Sequence, residues 1–364
     1  PKYDLYMFKN VYYLLTAAAI TALLPSCNSD TAPELPVTNR ISFGATSDFT
    51  RSGDYTTNNL KQFHVYAYTN TTPNPTLFMD NVEVNKTATN VWSYSPIAYW
   101  PAKLTVDFYA YAPADFLGKS TPLNPIEYDA YMADEDIIYA VAPRLSGFTD
   151  TSNPQVIFNF RHALSKVTVK LRSSNTNLEV RVTNVALAHI YTKGNFHFPA
   201  ESTSGTLSPE NIGTWTDQNT PIPYILHMSQ TPSDIITLTP TSNDMSTTGM
   251  GLGGDKYVLP QTLSYETNGT GTDQYITVMC SIYDANTSIK LWPNANTPTE
   301  NIVEGSTFGD GLLKFPLKTN TITAWQPGYH YIYDLTINSN DEMGTIQFGV
   351  PTVDAFVDVS TTYE

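Results

Sequence analysis

Lys166-Val167-Thr168-Val169-Lys170-Leu171-Arg172 decides how the chain folds. Val167, Val169 and Leu171 fall on one side of an extended backbone, and Lys166, Thr168, Lys170 and Arg172 on the other. Successive side chains of a strand point to opposite faces, so the alternation predicts a strand with one dry and one wet face. The period of two recurs in both directions from there. Towards the N-terminus, Phe63, Val65 and Ala67 alternate with His64, Tyr66 and Tyr68, and Leu104, Val106, Phe108 and Ala110 with Thr105, Asp107, Tyr109 and Tyr111. Towards the C-terminus, Leu178, Val180 and Val182 oppose Glu179, Arg181 and Thr183, and Tyr329, Tyr331, Tyr333, Leu335 and Ile337 share one face. Turn clusters such as Thr71-Thr72-Pro73-Asn74-Pro75 and Asn268-Gly269-Thr270-Gly271 separate these segments. No stretch after residue 27 carries a long stripe of period 3.6, so the fold class is all-β, a mostly antiparallel sandwich.

A chain of 364 residues suggests two such domains. Ser146 to Pro154 is polar and turn-rich, and the strand pattern restarts at Val156, which puts the boundary near 155–162. We therefore assign 41–158 to a first sandwich and 159–364 to a second, with long loops over 242–256 and 294–311. The 24 Tyr suit half-buried pleated surfaces. A net charge of −15 argues against nucleic acid, whose phosphates need a basic surface.

The front of the chain has a different character. Met7 and Lys9 open a short basic region, and Val11 to Leu24 is an apolar run of 14 residues, too short to span a bilayer but right for the core of an export signal. Residues 1–26 are read as a signal peptide with an upstream extension before Met7. Leu24-Pro25-Ser26-Cys27 resembles a bacterial lipobox, with Pro25 departing from the usual small or aliphatic residue, and marks Cys27 as a lipid attachment point followed by a lipidated linker, 27–40. An alternating segment follows, Ile41 to Phe49, with Ile41, Phe43, Ala45 and Phe49 on one face, closed by Thr50-Arg51-Ser52-Gly53. With Cys27 acylated, Cys280 is the one remaining thiol; it sits on a stripe with Ile276, Val278 and Ile282 and reads as core, so neither a disulfide framework nor a cysteine metal site is expected.

Motifs for catalysis are weak. Gly249-Met250-Gly251-Leu252-Gly253-Gly254 matches G-x-G-x-x-G in letters, but no strand precedes it and no helix follows, which reads as a flexible loop. Asp134-Glu135-Asp136 lacks the spacing of a calcium loop and reads as a solvated turn before a strand. His64, His162, His189, His197, His227 and His330 are dispersed without zinc spacing, and no G-x-S-x-G elbow occurs. The expectation is no catalysis, no cofactor and no metal. Trp215 and Trp292 stand in loop-like contexts where they would cover a core edge or serve as stacking platforms for a sugar.

Four blocks resemble the fimbrillin family, the major and accessory pilins of Bacteroidales: Trp92 to Pro113, Asp136 to Ala140, Asn159 to Leu171 and Trp325 to Leu335. The resemblance implies two transthyretin-like β-sandwich domains, export as a lipoprotein to the outer membrane, and assembly with other fimbrillin subunits into an adhesive surface fimbria with a host protein or glycan as ligand. It implies that a trypsin-like protease cuts after an Arg and removes the first strand, here Ile41 to Phe49, so that a neighbour's strand takes its place. Arg51 matches, and Arg40 is the second choice, since a cut there would leave the strand in place. The donor would come from 345–360, where Ile346, Phe348 and Val350 form one short stripe and Ala355, Val357 and Val359 another; shaft and tip positions both stay open. The competing reading is a glycan-binding surface lipoprotein with β-sandwich domains.

Overall fold

Each alternating strand has an apolar face, and two such faces must close on one another to leave water. The structure, a computed structural model, describes residues 40–46, 55, 59–131, 135–147, 155–202, 211–245, 256–265, 272–338 and 352–355. The first part of the chain supplies β1 (Ser42–Thr46), β2 (Gln62–Thr69), β3 (Thr76–Ala88), β4 (Val91–Tyr94), β5 (Val106–Ala112), β6 (Ile126–Asp129), β7 (Ile138–Leu145), β8 (Gln155–Asn159) and β9 (Arg161–His162). Six of these form an antiparallel sheet in the order β4-β3-β2-β5-β7-β9. β1 and β8 form a separate parallel pair, in register from Ser42 opposite Gln155 to Thr46 opposite Asn159. The pair is the second layer of the sandwich: Ile41, Phe43, Val156 and Phe158 from it meet Phe63, Val65, Phe108 and Ala110 from the large sheet in one core.

The second part supplies β10 (Ser165–Arg172), β11 (Leu178–His197), β12 (Thr214–Met228), β13 (Ile236–Thr237), β14 (Asn243–Asp244), β15 (Lys256–Val258), β16 (Tyr275–Asp284), β17 (Lys290–Trp292), β18 (Gly311–Pro316), β19 (Tyr329–Thr336) and β20 (Thr352–Ala355). The long β11 organises one sheet, in the order β12-β11-β16-β17 with β6, β13 and β18 alongside. The facing sheet runs β14-β10-β19-β20, with β15 also on β10. Within it β10 and β19 are parallel, so Lys166–Arg172 lies beside His330–Thr336. Val167, Val169 and Leu171, the residues that predicted the strand, pack with Tyr331, Tyr333 and Leu335 against Val180, Val182, Val278 and Cys280. Among the described residues the only helical turns are two of three residues each, Pro232–Asp234 and Thr299–Asn301.

The two sandwiches interlock more closely than a boundary at 158/159 implies. β9 lies beyond that boundary yet pairs with β7 of the first sheet. β6 lies well before it yet pairs with β11 of the second sandwich, Lys193 opposite Asp129 through Phe196 opposite Ile126. A third buried cluster fills the space between them: Tyr66, Tyr68, Tyr111 and Tyr139 from the first sandwich with Phe116, Phe196, Tyr257 and Leu259. The faces expected to be wet on β2 and β5 are therefore covered, by tyrosines that bring a large apolar ring together with a hydroxyl. β10 departs in the same way. Lys166 is 1% and Thr168 2% exposed on the face expected to be wet; Thr168 Oγ1 lies 2.8 Å from His330 Nε2, and Lys166 Nζ sits 5.9 Å from the centroid of the Tyr257 ring.

Burial has a consequence at high pH. Loss of water, with Asp107 adding to it, pushes the Tyr109 phenol up to about 12, and loss of water with Asp115 does the same for Tyr128. Both phenols thus hold their protons more tightly folded than unfolded, where the value is near ~10. The stability this supplies is complete below about pH 10 and is lost as the pH rises towards about 12. The thermal midpoint should stay flat on the alkaline side until about pH 10 and then fall, in step with tyrosinate absorbance; a midpoint unchanged through that window would show these rings to be solvated.

Candidate functional site

The parallel pair of β1 and β8 is the smaller layer of the first sandwich, two strands against the six-stranded sheet. Alternation in Ile41-Ser42-Phe43-Gly44-Ala45 sends Ile41 and Phe43 inward, and both are buried, with Ala45 half-buried beside them. Phe43 is the centre of an aromatic cluster. Its ring is stacked on Phe158 at 5.6 Å between centroids, tilted on Tyr94 at 5.0 Å, and edge-on to Phe63 and Phe108 at 6.4 and 6.0 Å. These are the distances and tilts that favour aromatic pairs.

The backbone of β1 is held from both sides. Ladder bonds tie it to β8. On the other side the Ile41 N–H donates to the Ala98 carbonyl at 3.0 Å, and the Tyr94 hydroxyl donates to the Ile41 carbonyl at 2.8 Å. Gln155 Nε2 donates to the Phe43 carbonyl at 2.8 Å. These clamps bridge 53 residues for Tyr94 and 112 for Gln155, so no local pattern in the sequence could have revealed them. The outward position is narrow: a Cβ on Gly44 would stand 2.8 Å from Ile157 Cδ1 and 3.1 Å from the Gln155 amide.

The other sequence candidates fall elsewhere. Arg40 is exposed. Cys27, Phe49, Arg51, Ile346, Phe348, Val350, Val357 and Val359 lie outside the described residues, as do Gly249 to Gly254. Of the 345–360 tail, β20 pairs antiparallel with β19 at the sheet edge, Tyr329 opposite Ala355 to Ile332 opposite Thr352. The acidic triplet does not act as one solvated turn: Glu135 is exposed and accepts from the Tyr55 hydroxyl, whereas Asp136 is buried with Oδ2 2.5 Å from His162 Nδ1. Among the described residues no group of three or more His, Cys, Asp or Glu is placed to hold a metal ion. No described helix is long and apolar enough to cross a membrane. Cys280 is fully buried, and burial beside Asp310 pushes its thiol up, away from reactivity. Trp292 is buried in the second core, and Trp215 packs on Phe196 and Tyr128 while its indole N–H donates to the Ala163 carbonyl at 2.7 Å. Both rings are thus occupied by the fold itself.

Comparison with known proteins bears on the family and the fold. A family model described as fimbrillin-like matches residues 50–353. No curated protein matches the chain. Among solved structures, a fimbrial protein from Bacteroides vulgatus is 18% identical, with a TM-score of 0.57 over 88% of this chain and 100% of that one, and so shares the fold. A putative cell adhesion protein from Bacteroides uniformis is 16% identical, TM-score 0.46, over 89% and 100%. The tip fimbrial protein Mfa3 from Porphyromonas gingivalis is 9% identical, TM-score 0.39, over 87% and 99%.

Proposed function

The chain belongs to the fimbrillin-like family, and from that premise we propose that it is exported as a lipoprotein and polymerises by exchange of a β-strand. By membership it is a structural subunit of a cell-surface fimbria that assembles with other fimbrial subunits. In our reading Cys27 carries the lipid that holds the subunit at the outer membrane, a trypsin-like protease cuts after Arg51, and β1 departs. The role is structural and adhesive rather than catalytic, and the adhesion ligand is a host protein or glycan.

One observation supports this reading above the others: β1 is half of a two-stranded layer, and it carries the ring at the centre of the first core. Its loss would open a row of unpaired N–H and C=O groups along β8 and an apolar slot, a template for an added strand. Burying an Ile or a Phe is worth roughly 1.5–3 kcal/mol, and each ladder bond about 0.5–1.5 kcal/mol net. An incoming strand would thus gain on the order of 10 kcal/mol before the cost of ordering it, enough for a long-lived polymer.

Arg51→Ala should leave a folded monomer that no longer forms heat-labile ladders on a gel, while N-terminal sequencing of the parent recovered from the cell surface should begin at Ser52. A variant that polymerises like the parent would move the trigger away from Arg51. Mass spectrometry of the unprocessed N-terminus should find an acylated Cys27, and an unmodified start would remove the lipid anchor from the scheme.

A further inference from the structure

Phe63 and Val65 point into the first core, so Gln62 and His64, which alternate with them on β2, point the other way. On that outer face a cavity of ≈ 300 Å³ lies where β2 begins and β5 ends. Tyr55, Lys61, Gln62, His64, Pro113 and Glu135 line it. Its volume is at the small end of the range for ligand pockets. The most buried of its polar side chains is His64, 9% exposed. Asn81 Oδ1 lies 3.0 Å from His64 Nδ1 and accepts the Tyr111 hydroxyl at 2.5 Å. An amide oxygen has no proton to give, so His64 Nδ1 carries the hydrogen and Nε2 the lone pair. Asn81 lies towards Tyr66, as the pairing of Val65 with Val82 and of Ala67 with Met79 requires. Nε2 diverges from Nδ1 around the ring and so turns to the opposite end, where Gln62 and Pro113 stand. It is buried and has no partner within the protein. Such an acceptor calls for an explanation, and a donor held in the cavity supplies one.

The rest of the lining offers hydrogen bonds of both senses. The Tyr55 hydroxyl donates to Glu135 Oε1, which fixes the carboxylate and leaves Oε2 for another donor. Lys61, exposed, and Gln62, half-buried, add an ammonium and an amide at the rim. Lys61 and Glu135 cancel in charge, so the lining favours no net charge in a ligand. Pro113, between Ala112 and Ala114, and the Tyr55 ring add apolar surface. The matching molecule is small and uncharged, carries several groups that each donate and accept, and has C–H surface to lay on the apolar wall. Hydroxyls do both, and a sugar ring sets them side by side over such a surface.

We propose that this cavity binds one neutral sugar unit of a glycan. One sugar hydroxyl donates to His64 Nε2 and another to Glu135 Oε2, while Lys61 and Gln62 donate to sugar oxygens. The inference rests on the adhesive reading of the subunit and gives it a site and a ligand class. Every residue of the lining follows Arg51 in the chain, and the cavity is on the face of the large sheet turned away from β1. The site is therefore complete before and after a cut at Arg51.

The test titrates the full chain, protease-treated and as the uncut Arg51→Ala variant, with the methyl glycosides of glucose, galactose, mannose and N-acetylglucosamine, and with sialic acid as the charged comparison. Saturation-transfer NMR reads the binding. At least one neutral glycoside should bind both forms with a Kd on the order of 1 mM. Glu135→Gln, which keeps an acceptor for the Tyr55 hydroxyl, and Gln62→Ala should each weaken it by about ten-fold; neither residue belongs to a core cluster. No neutral glycoside bound at about 10 mM, ten-fold above that Kd, or binding indifferent to both variants, would overturn the site. Sialic acid bound in preference to every neutral glycoside, and lost in Lys61→Ala, would overturn the ligand class. Adhesion of cells displaying the chain to a surface coated with the glycoside separates this inference from the reading beneath it. Adhesion unchanged by Glu135→Gln would keep the adhesive role and overturn the site; glycoside binding by the chain without adhesion of the cells would keep the site and overturn the adhesive role.

Discussion

Phe43→Ala should destabilise the first sandwich by about 3–5 kcal/mol, the range for truncating a buried Phe. The ring is 2% exposed and touches four others, Phe158 in its own layer and Phe63, Tyr94 and Phe108 in the facing sheet. The cost sits towards the upper part of the range because the site cannot collapse. The Ile41 and Phe43 backbone is fixed by Ala98, Tyr94 and Gln155, so the strand cannot sink into the space its side chain leaves. Ile157→Ala is the control: it lies on the same pair of strands but on the outer face, 48% exposed, and should cost about 0.5 kcal/mol or less. Chemical denaturation of the two variants beside the parent decides it. A Phe43→Ala midpoint indistinguishable from that of Ile157→Ala would mean that β1 is not part of the core, and the slot would lose its basis.

Much of this could be read from the sequence, and what could not has a physical cause. A period of two says which residues share a face. It found Val167, Val169 and Leu171, the Tyr331 to Ile337 stripe, Cys280, and Ile41 and Phe43 at the first strand, all of which are buried. It does not say what lies against the other face. Tyr66 and Tyr68 alternate like solvent-facing residues and are buried in the aromatic cluster they share with Phe196 and Tyr257; Lys166 and Thr168 are buried beside Tyr257 and His330 of the neighbouring strands. Pairing is also invisible to local patterns. Ile126–Asp129 lies within the stretch 41–158 assigned to the first domain, yet its partner is β11 of the second. The parallel match of Ser42–Thr46 to Gln155–Asn159 spans more than a hundred residues, and with it come the Gln155 clamp and the cover over Gly44. Sequence located the strand; only the fold supplied the shape of its slot.

Tyr139→Ala should cost about 3–5 kcal/mol as well, and its effect should reach both sandwiches. Tyr139 belongs to β7 of the first, is fully buried, and lies 5.0 Å from the Phe196 ring and 5.8 Å from the Phe198 ring, both contributed by the second. Its hydroxyl accepts the buried Gly213 N–H at 2.5 Å, just before β12. Gly213 itself cannot be replaced there, since a Cβ would stand 2.3 Å from Phe196 Cζ. Truncation to alanine therefore removes the ring that joins the two halves and strands a buried donor at once. Tyr139→Phe keeps the ring and loses the hydroxyl that accepts the Gly213 N–H, for about 1–3 kcal/mol. The aromatic layer ties the sandwiches into one cooperative unit, so the parent and Tyr139→Phe should melt in a single transition, and Tyr139→Ala in two. That coupling bears on assembly: a subunit whose first sandwich has lost a strand would still be supported by the intact second sandwich until a donor arrives. Two separated transitions already present in the parent would show that the layer carries no such support.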